Sequence, residues 1–257
     1  MLNGLWKLTW VETKIFLREP MGAIGTLIIP VLLFVVLGRT LGSARSGMIP
    51  SGVISTDAID SARAPFNLAI LGALMIAVNA VLSLVAIISI YREGGILKRL
   101  RATPLSPITI LSSQVVVKLA FTVVSLSLLV LAGRRLFPGA LQIPFVSFAA
   151  ALLLSTLSIL SLGFIIASIV PTARFAQPIS AAVMYPMIAL SGLFFPIENL
   201  PRPLQIFAQF LPTTHAVALM QGVWDGSGWS AHSWSVLALI VIFVACVSAS
   251  TRFFRWE

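Results

Sequence analysis

The chain has 257 residues, 58% of them hydrophobic and only 10% charged, with a formal net charge of +9. Soluble domains carry about 25% charged residues, so this composition excludes an ordinary water-soluble fold and indicates a polytopic helical membrane protein. The apolar runs are continuous rather than alternating with period two, which argues against a β-barrel, and the positive charge sits mostly in loops, where it reads as membrane orientation rather than nucleic-acid binding.

Residues 1–257 are read as one transmembrane domain, all-α, with six spans. Residues 1–19 set Leu5, Leu8, Val11 and Ile15 against Lys7, Lys14 and Arg18, with Trp6 and Trp10 between them. That pattern predicts a helix lying in the membrane surface. Charge continues to Arg18 and no small-residue cleavage site follows, unlike a signal peptide. The first span is expected over 21–41, with Pro30 as a candidate kink. A polar loop leads to a second span at 66–90, which contains Asn79. An asparagine at that depth either bonds across helices or lines a transport path.

Residues 91–108 form a basic loop in which Arg92, Lys98, Arg99 and Arg101 face Glu93 alone. Gly94-Gly95 is expected to end the preceding helix, and a short helix over 96–101 to stop before Pro104. Ile96, Leu97 and Leu100 give that helix an apolar side. It reads equally as a docking element for a partner's groove and as a positive-inside retention signal. In the docking reading Arg92 and Glu93 make ion pairs to the partner and Leu97 and Leu100 fill its groove. The third span, 109–131, carries Lys118, a costly residue in a bilayer that has to snorkel, pair or face water. The fourth, 144–170, is rich in serine, which suits close helix packing. The fifth, 178–195, holds Tyr185-Pro186 and is short.

Residues 196–230 are expected to form a broken, re-entrant hairpin of two short helices at the outer surface. Leu204, Phe207, Ala208 and Leu211 share one helical face, Pro212 ends the first helix, and Thr213 or Thr214 caps the second. The last span is placed at 234–251. With the N-terminus inside, ten of the 17 Lys and Arg fall on inner segments and six on outer ones, Lys118 being within a span. This puts both termini in the cytoplasm.

Catalytic patterns are missing from the sequence. It has no GxxxxGK[ST] loop, no HExxH and no GxSxG. His215 and His232 have no cysteine or carboxylate cluster beside them in the sequence, and the lone Cys246 admits no intrachain disulfide. The spans also lack acidic residues, which argues against a proton- or sodium-coupled carrier. No enzyme, no metal site and no cofactor bound by this chain are expected.

Four stretches carry a family resemblance. They are Phe16–Pro20; Arg92–Leu100 followed by Thr103-Pro104-Leu105-Ser106-Pro107; Ser191–Pro196 continuing to Leu200-Pro201; and Leu211–His215. In this order and spacing the chain resembles the type-2 ABC transporter permease family, the membrane half of ATP-binding-cassette exporters. The resemblance implies six spans with an N-terminal connecting helix, a cytosolic coupling helix at about 93–105 and an outer re-entrant pair at about 196–222. It implies two permease protomers, identical or related, with a dimer of ATPase subunits that bind ATP and Mg. It also implies a prokaryotic plasma membrane and the export of drugs, antibiotics or lipid-like molecules, with lipid-linked glycans as the alternative cargo. The compact chain looks most similar to the drug-export branch. Coupling is assigned to Arg92, Glu93, Leu97, Leu100 and Pro104. The candidate path or gate residues are Asn79, Lys118, Tyr185, Phe195, Phe207 and Phe210, of which the aromatics, at such spacing, are more often packing. The rival classes are an ATP-independent carrier, for which Lys118 is the sole support, and a membrane scaffold without cargo.

Overall fold

The computed structural model describes residues 2–18, 24–36, 68–95, 107–136, 144–170, 172–194 and 196–253. These residues are overwhelmingly helical and contain no strand. Helix α1 is Leu2–Arg18. Helix α2 covers 24–36 and opens with a π-helical turn at Ile24–Ile28. The wide turn lies just before Pro30, whose ring crowds the carbonyl four residues back and removes one amide donor, so the kink expected there takes this form.

Helix α3, Leu68–Glu93, is the central element. It packs against α4 (Pro107–Leu136), α5 (Phe145–Ile169), α6 (Ala173–Ala189) and α8 (Pro212–Trp224). Because neighbours surround it, apolar residues are buried all round rather than on one stripe: Ile70, Ala73, Leu74, Ile76, Ala77, Val81, Leu84 and Val85 are all fully buried. Close approach of α5 depends on Gly163. A Cβ there would lie 3.1 Å from Val81 Cγ1 and 3.3 Å from Leu84 Cδ2. The serines of α5 occupy the interior as their small size predicts, and Ser158 Oγ donates across to the Leu239 carbonyl of α10 (Ser233–Phe253) at 3.0 Å.

Among the described residues, four helices are long and apolar enough to cross a membrane: Ile70–Glu93, Leu111–Arg135, Phe145–Ile169 and Ser233–Ser250. They correspond to the expected second, third, fourth and sixth spans. The first span is described only over 24–36. The fifth departs from expectation. Its helix starts at Ala173 rather than 178 and ends at Ala189 after 17 residues. At about 1.5 Å per residue that is about 26 Å, short of the ~30 Å hydrocarbon core. Pro178 and Pro186 both sit inside it.

Two further stretches gain detail from the packing. On α1 the residues facing the protein are Glu12 and Phe16, while Trp6, Trp10, Val11 and Ile15 stay exposed. One face is thus set by contact with α4, where the Phe16 and Phe121 rings lie 4.2 Å apart, and the opposite face keeps the amphipathic character of a surface helix. In the 196–230 stretch the two short helices are unequal. Helix α7, Arg202–Ala208, is largely exposed, whereas α8 is buried along nearly its whole length between α5 and α10. Pro212 opens α8 and neither threonine caps it. Thr213 Oγ1 donates instead to the Met187 carbonyl of α6 at 2.9 Å, and His215 Nε2 lies 2.8 Å from the Gln209 carbonyl oxygen. Burial of α8 inside the bundle explains why tertiary partners replace a local cap. A short helix α9, Gly228–Ala231, leads into α10.

Candidate functional site

Two places bring the candidate residues together. The first is the cytoplasm-facing end of α3 in the expected topology. The helix ends at Glu93, and Gly95 adopts φ +65°, the left-handed conformation that lets the chain turn away. At this exit Arg92 and Glu93 reach across to the turn between α5 and α6. The Arg92 guanidinium donates to the Ala167 carbonyl at 3.1 Å and to the Val170 carbonyl, both at the C-terminal end of α5. The Glu93 carboxylate accepts the Ala173 backbone N–H, the first of α6, at 2.8 Å. Each charge meets the helix end of opposite partial charge: a cation on the carbonyl end of α5 and an anion on the amide end of α6. The pair forms a staple between three helices.

This differs from the expected geometry, in which both side chains made ion pairs to a partner. Here both have hydrogen-bond partners within the chain. The staple also explains the early start of α6, since Glu93 satisfies a first-turn amide that no local residue caps. The other coupling candidates, Leu97, Leu100 and Pro104, lie outside the described residues, as does the short helix expected at 96–101.

The second place is a cavity of about 370 Å³ between α1, α3 and α4. Asn79 and Lys118 both line it, together with Glu12, Ser83, Tyr91, Gln114 and Gln177 among polar residues and Phe16, Leu82, Ile87 and Val117 among apolar ones. Lys118 is only 2% exposed. Its Nζ donates to Ser83 Oγ at 2.6 Å and sits 5.0 Å from the Phe16 ring centroid. The hydroxyl dipole and the ring face offset part of the cost of holding an ammonium away from water. Glu12 is buried too, and the Tyr91 hydroxyl donates to its carboxylate, 2.8 and 2.9 Å from the two oxygens. Asn79 donates to the Met75 carbonyl one turn back at 2.8 Å, a local bond rather than an interhelical one. Gln114 is 2% exposed and its Nε2 has no hydrogen-bond partner among the described residues.

The cavity therefore joins two residues singled out from the sequence and adds Glu12, Ser83, Tyr91, Gln114 and Gln177. A spacing signal for two of these was present: Ser83 is four residues after Asn79 and Gln114 four before Lys118, the i,i+4 relation that shares a helix face. Glu12 carried another signal, as the carboxylate in the middle of an apolar and basic helix. The aromatic gate candidates are not among the cavity-lining residues. Tyr185, Phe207 and Phe210 are exposed on α6, on α7 and just beyond it, and Phe195 lies outside the described residues.

Similarity to known proteins agrees with this architecture. Over 95 residues the chain is 34% identical to nodulation protein J of Bradyrhizobium diazoefficiens, covering 37% of this chain and 36% of the relative. Over 73 residues it is 32% identical to nodulation protein J of Rhizobium leguminosarum bv. trifolii, covering 28% of each. The matched segments thus span about a third or less of these relatives. A family model described as ABC-2 type transporter matches residues 3–224, from α1 through α8. The chain belongs to the ABC-2 type transporter membrane family.

Proposed function

We propose that this chain is the permease of an ATP-driven exporter that moves amphipathic molecules, hydrophobic drugs, antibiotics and lipids among them, out of the cytoplasm or inner leaflet. Family membership makes it a transport subunit rather than an enzyme, working with a separate ATP-binding subunit. In this reading two permease protomers, identical or related, cross a prokaryotic plasma membrane six times each, with both termini in the cytoplasm. A dimer of ATP-binding subunits, carrying ATP and Mg, docks on the loop after Glu93 through Leu97, Leu100 and Pro104.

The observation that carries the reading is the staple. The loop leaves α3 at Gly94-Gly95, and Arg92 and Glu93 bind that exit to both α5 and α6. A displacement delivered to the loop is thereby shared among three helices, which is what mechanical coupling requires. The cavity supports amphipathic cargo, because it sets polar groups of α3 and α4 beside apolar ones. Its polar side favours molecules with a head group, lipid-linked glycans included, over wholly apolar drugs.

The test is transport by the reconstituted permease with its ATP-binding partner, using a panel of hydrophobic drugs and lipid-linked sugars. Cargo-stimulated ATP hydrolysis is expected, and Leu97→Ala with Leu100→Ala should remove the stimulation while the complex still assembles. Transport that proceeds equally well without the ATP-binding subunit would establish a carrier instead.

A further inference from the structure

We infer that the cavity between α1, α3 and α4 is a binding site for the anionic head, a phosphate or carboxylate, of an amphipathic ligand, held by Lys118 and Gln114. The inference rests on the exporter reading only for the ligand's role as cargo.

Lys118 and Gln114 lie four residues apart on one face of α4, both 2% exposed, and both line the cavity. Among the described residues, Gln114 Nε2 is a buried donor with no hydrogen-bond partner. Burying such a donor is unfavourable unless an acceptor reaches it, and a ligand oxygen in the cavity would be that acceptor. The same oxygen group would meet an ammonium one turn further along α4. A lysine and a carboxamide converging from one helix face present N–H donors, the chemistry that recognises phosphate or carboxylate.

The cavity's carboxylate has a donor of its own. Glu12 is engaged by the Tyr91 hydroxyl, and Tyr91 is eight residues beyond Ser83, the residue that anchors Lys118. The carboxylate is thus held by a hydroxyl of α3, and the ammonium by Ser83 and the face of the Phe16 ring. The space, about 370 Å³, is at the lower end of small-molecule pockets, the size of a head group with part of its tail. Phe16 forms part of the apolar wall against which a tail would lie.

Binding is to be measured by native mass spectrometry of the permease with its ATP-binding partner, without nucleotide. The probes are dioctanoyl phosphatidate, the matching uncharged dioctanoylglycerol, and inorganic phosphate. One phosphatidate per permease chain is expected, with dioctanoylglycerol bound at least about tenfold more weakly, the effect of losing one hydrogen bond to a charged group. Lys118→Met should weaken phosphatidate by a similar factor and Gln114→Leu by less, with dioctanoylglycerol unchanged. Lys118→Arg, which keeps the charge, should retain phosphatidate and separates a site effect from misfolding. Equal retention of the charged and uncharged lipids, or phosphatidate binding indifferent to Lys118→Met, overturns the site. Inorganic phosphate displacing phosphatidate at equal concentration keeps the anion site and assigns it to a free anion, which overturns the lipid ligand. Phosphatidate bound as expected but never transported or stimulating ATP hydrolysis leaves the site standing and counts against the cargo role alone.

Discussion

Removing the staple at the end of α3 should loosen the start of α6 before it affects the rest of the fold. Glu93→Ala takes away the acceptor of the Ala173 amide. A side-chain cap of this kind is worth about 1 kcal/mol, and the favourable charge at the amide end adds a few tenths. Glu93 is exposed and screened, so the lower part of that range applies. Arg92→Ala removes two donors from the C-terminal carbonyls of α5, for a loss of about 2 kcal/mol with its half-burial taken into account. Hydrogen exchange of the reconstituted protein reads the local effect. In Glu93→Ala the amides of Ala173, Arg174 and Phe175 should exchange about fivefold faster, the factor that corresponds to about 1 kcal/mol. The amides in the first half of α10 should not change, because that part meets α5 around Ser158, more than two turns before the carbonyls that Arg92 holds. The double variant should show coupling, since both side chains hold the same turn. Cargo stimulation of ATP hydrolysis should fall in each variant while basal hydrolysis persists. Unchanged exchange at 173–175 in the double variant would refute the staple as an anchor and leave Arg92 and Glu93 available to a partner subunit.

Gly163→Val should destabilise the bundle by about 1–3 kcal/mol in a detergent unfolding assay, because the new side chain meets Val81 and Leu84. Gly25→Ala, where a Cβ would meet nothing within 4 Å, should be close to neutral in the same assay. Tyr91→Phe strips the buried Glu12 carboxylate of its hydroxyl donor and should lower the melting midpoint, by about 1–3 kcal/mol of stability. Lengthened exchange protection of α1 in that variant would contradict this. Ser158→Ala should cost about 0.5–1.5 kcal/mol through the lost bond to the Leu239 carbonyl, read as faster exchange along α10.

Hydrophobic composition and the punctuation of glycine and proline determined much of this protein. A chain so poor in charge has few stable forms other than a membrane bundle, because apolar helices satisfy their own backbone groups in lipid. The long helices α3, α4, α5 and α10 were legible because each is a continuous apolar run between breakers. The end of α3 was legible to the residue, since Gly94-Gly95 follows Glu93 and Gly95 takes the left-handed conformation. The buried Lys118 was legible as an anomaly, though its partners were not. Tertiary contact decided the rest. Helix α6 begins five residues early because a carboxylate from 80 positions away satisfies its first amide. Helix α1 turns Glu12 and Phe16 inward because Tyr91 and Phe121 wait there, against the pattern of its own apolar residues. Helix α8 needs no capping threonine because the bundle surrounds it. The cavity, above all, is lined mainly by α1, α3 and α4, with Gly25 of α2 and Gln177 of α6; local periodicity assigns each residue to a face, and only the packing of these helices brings those faces to one space.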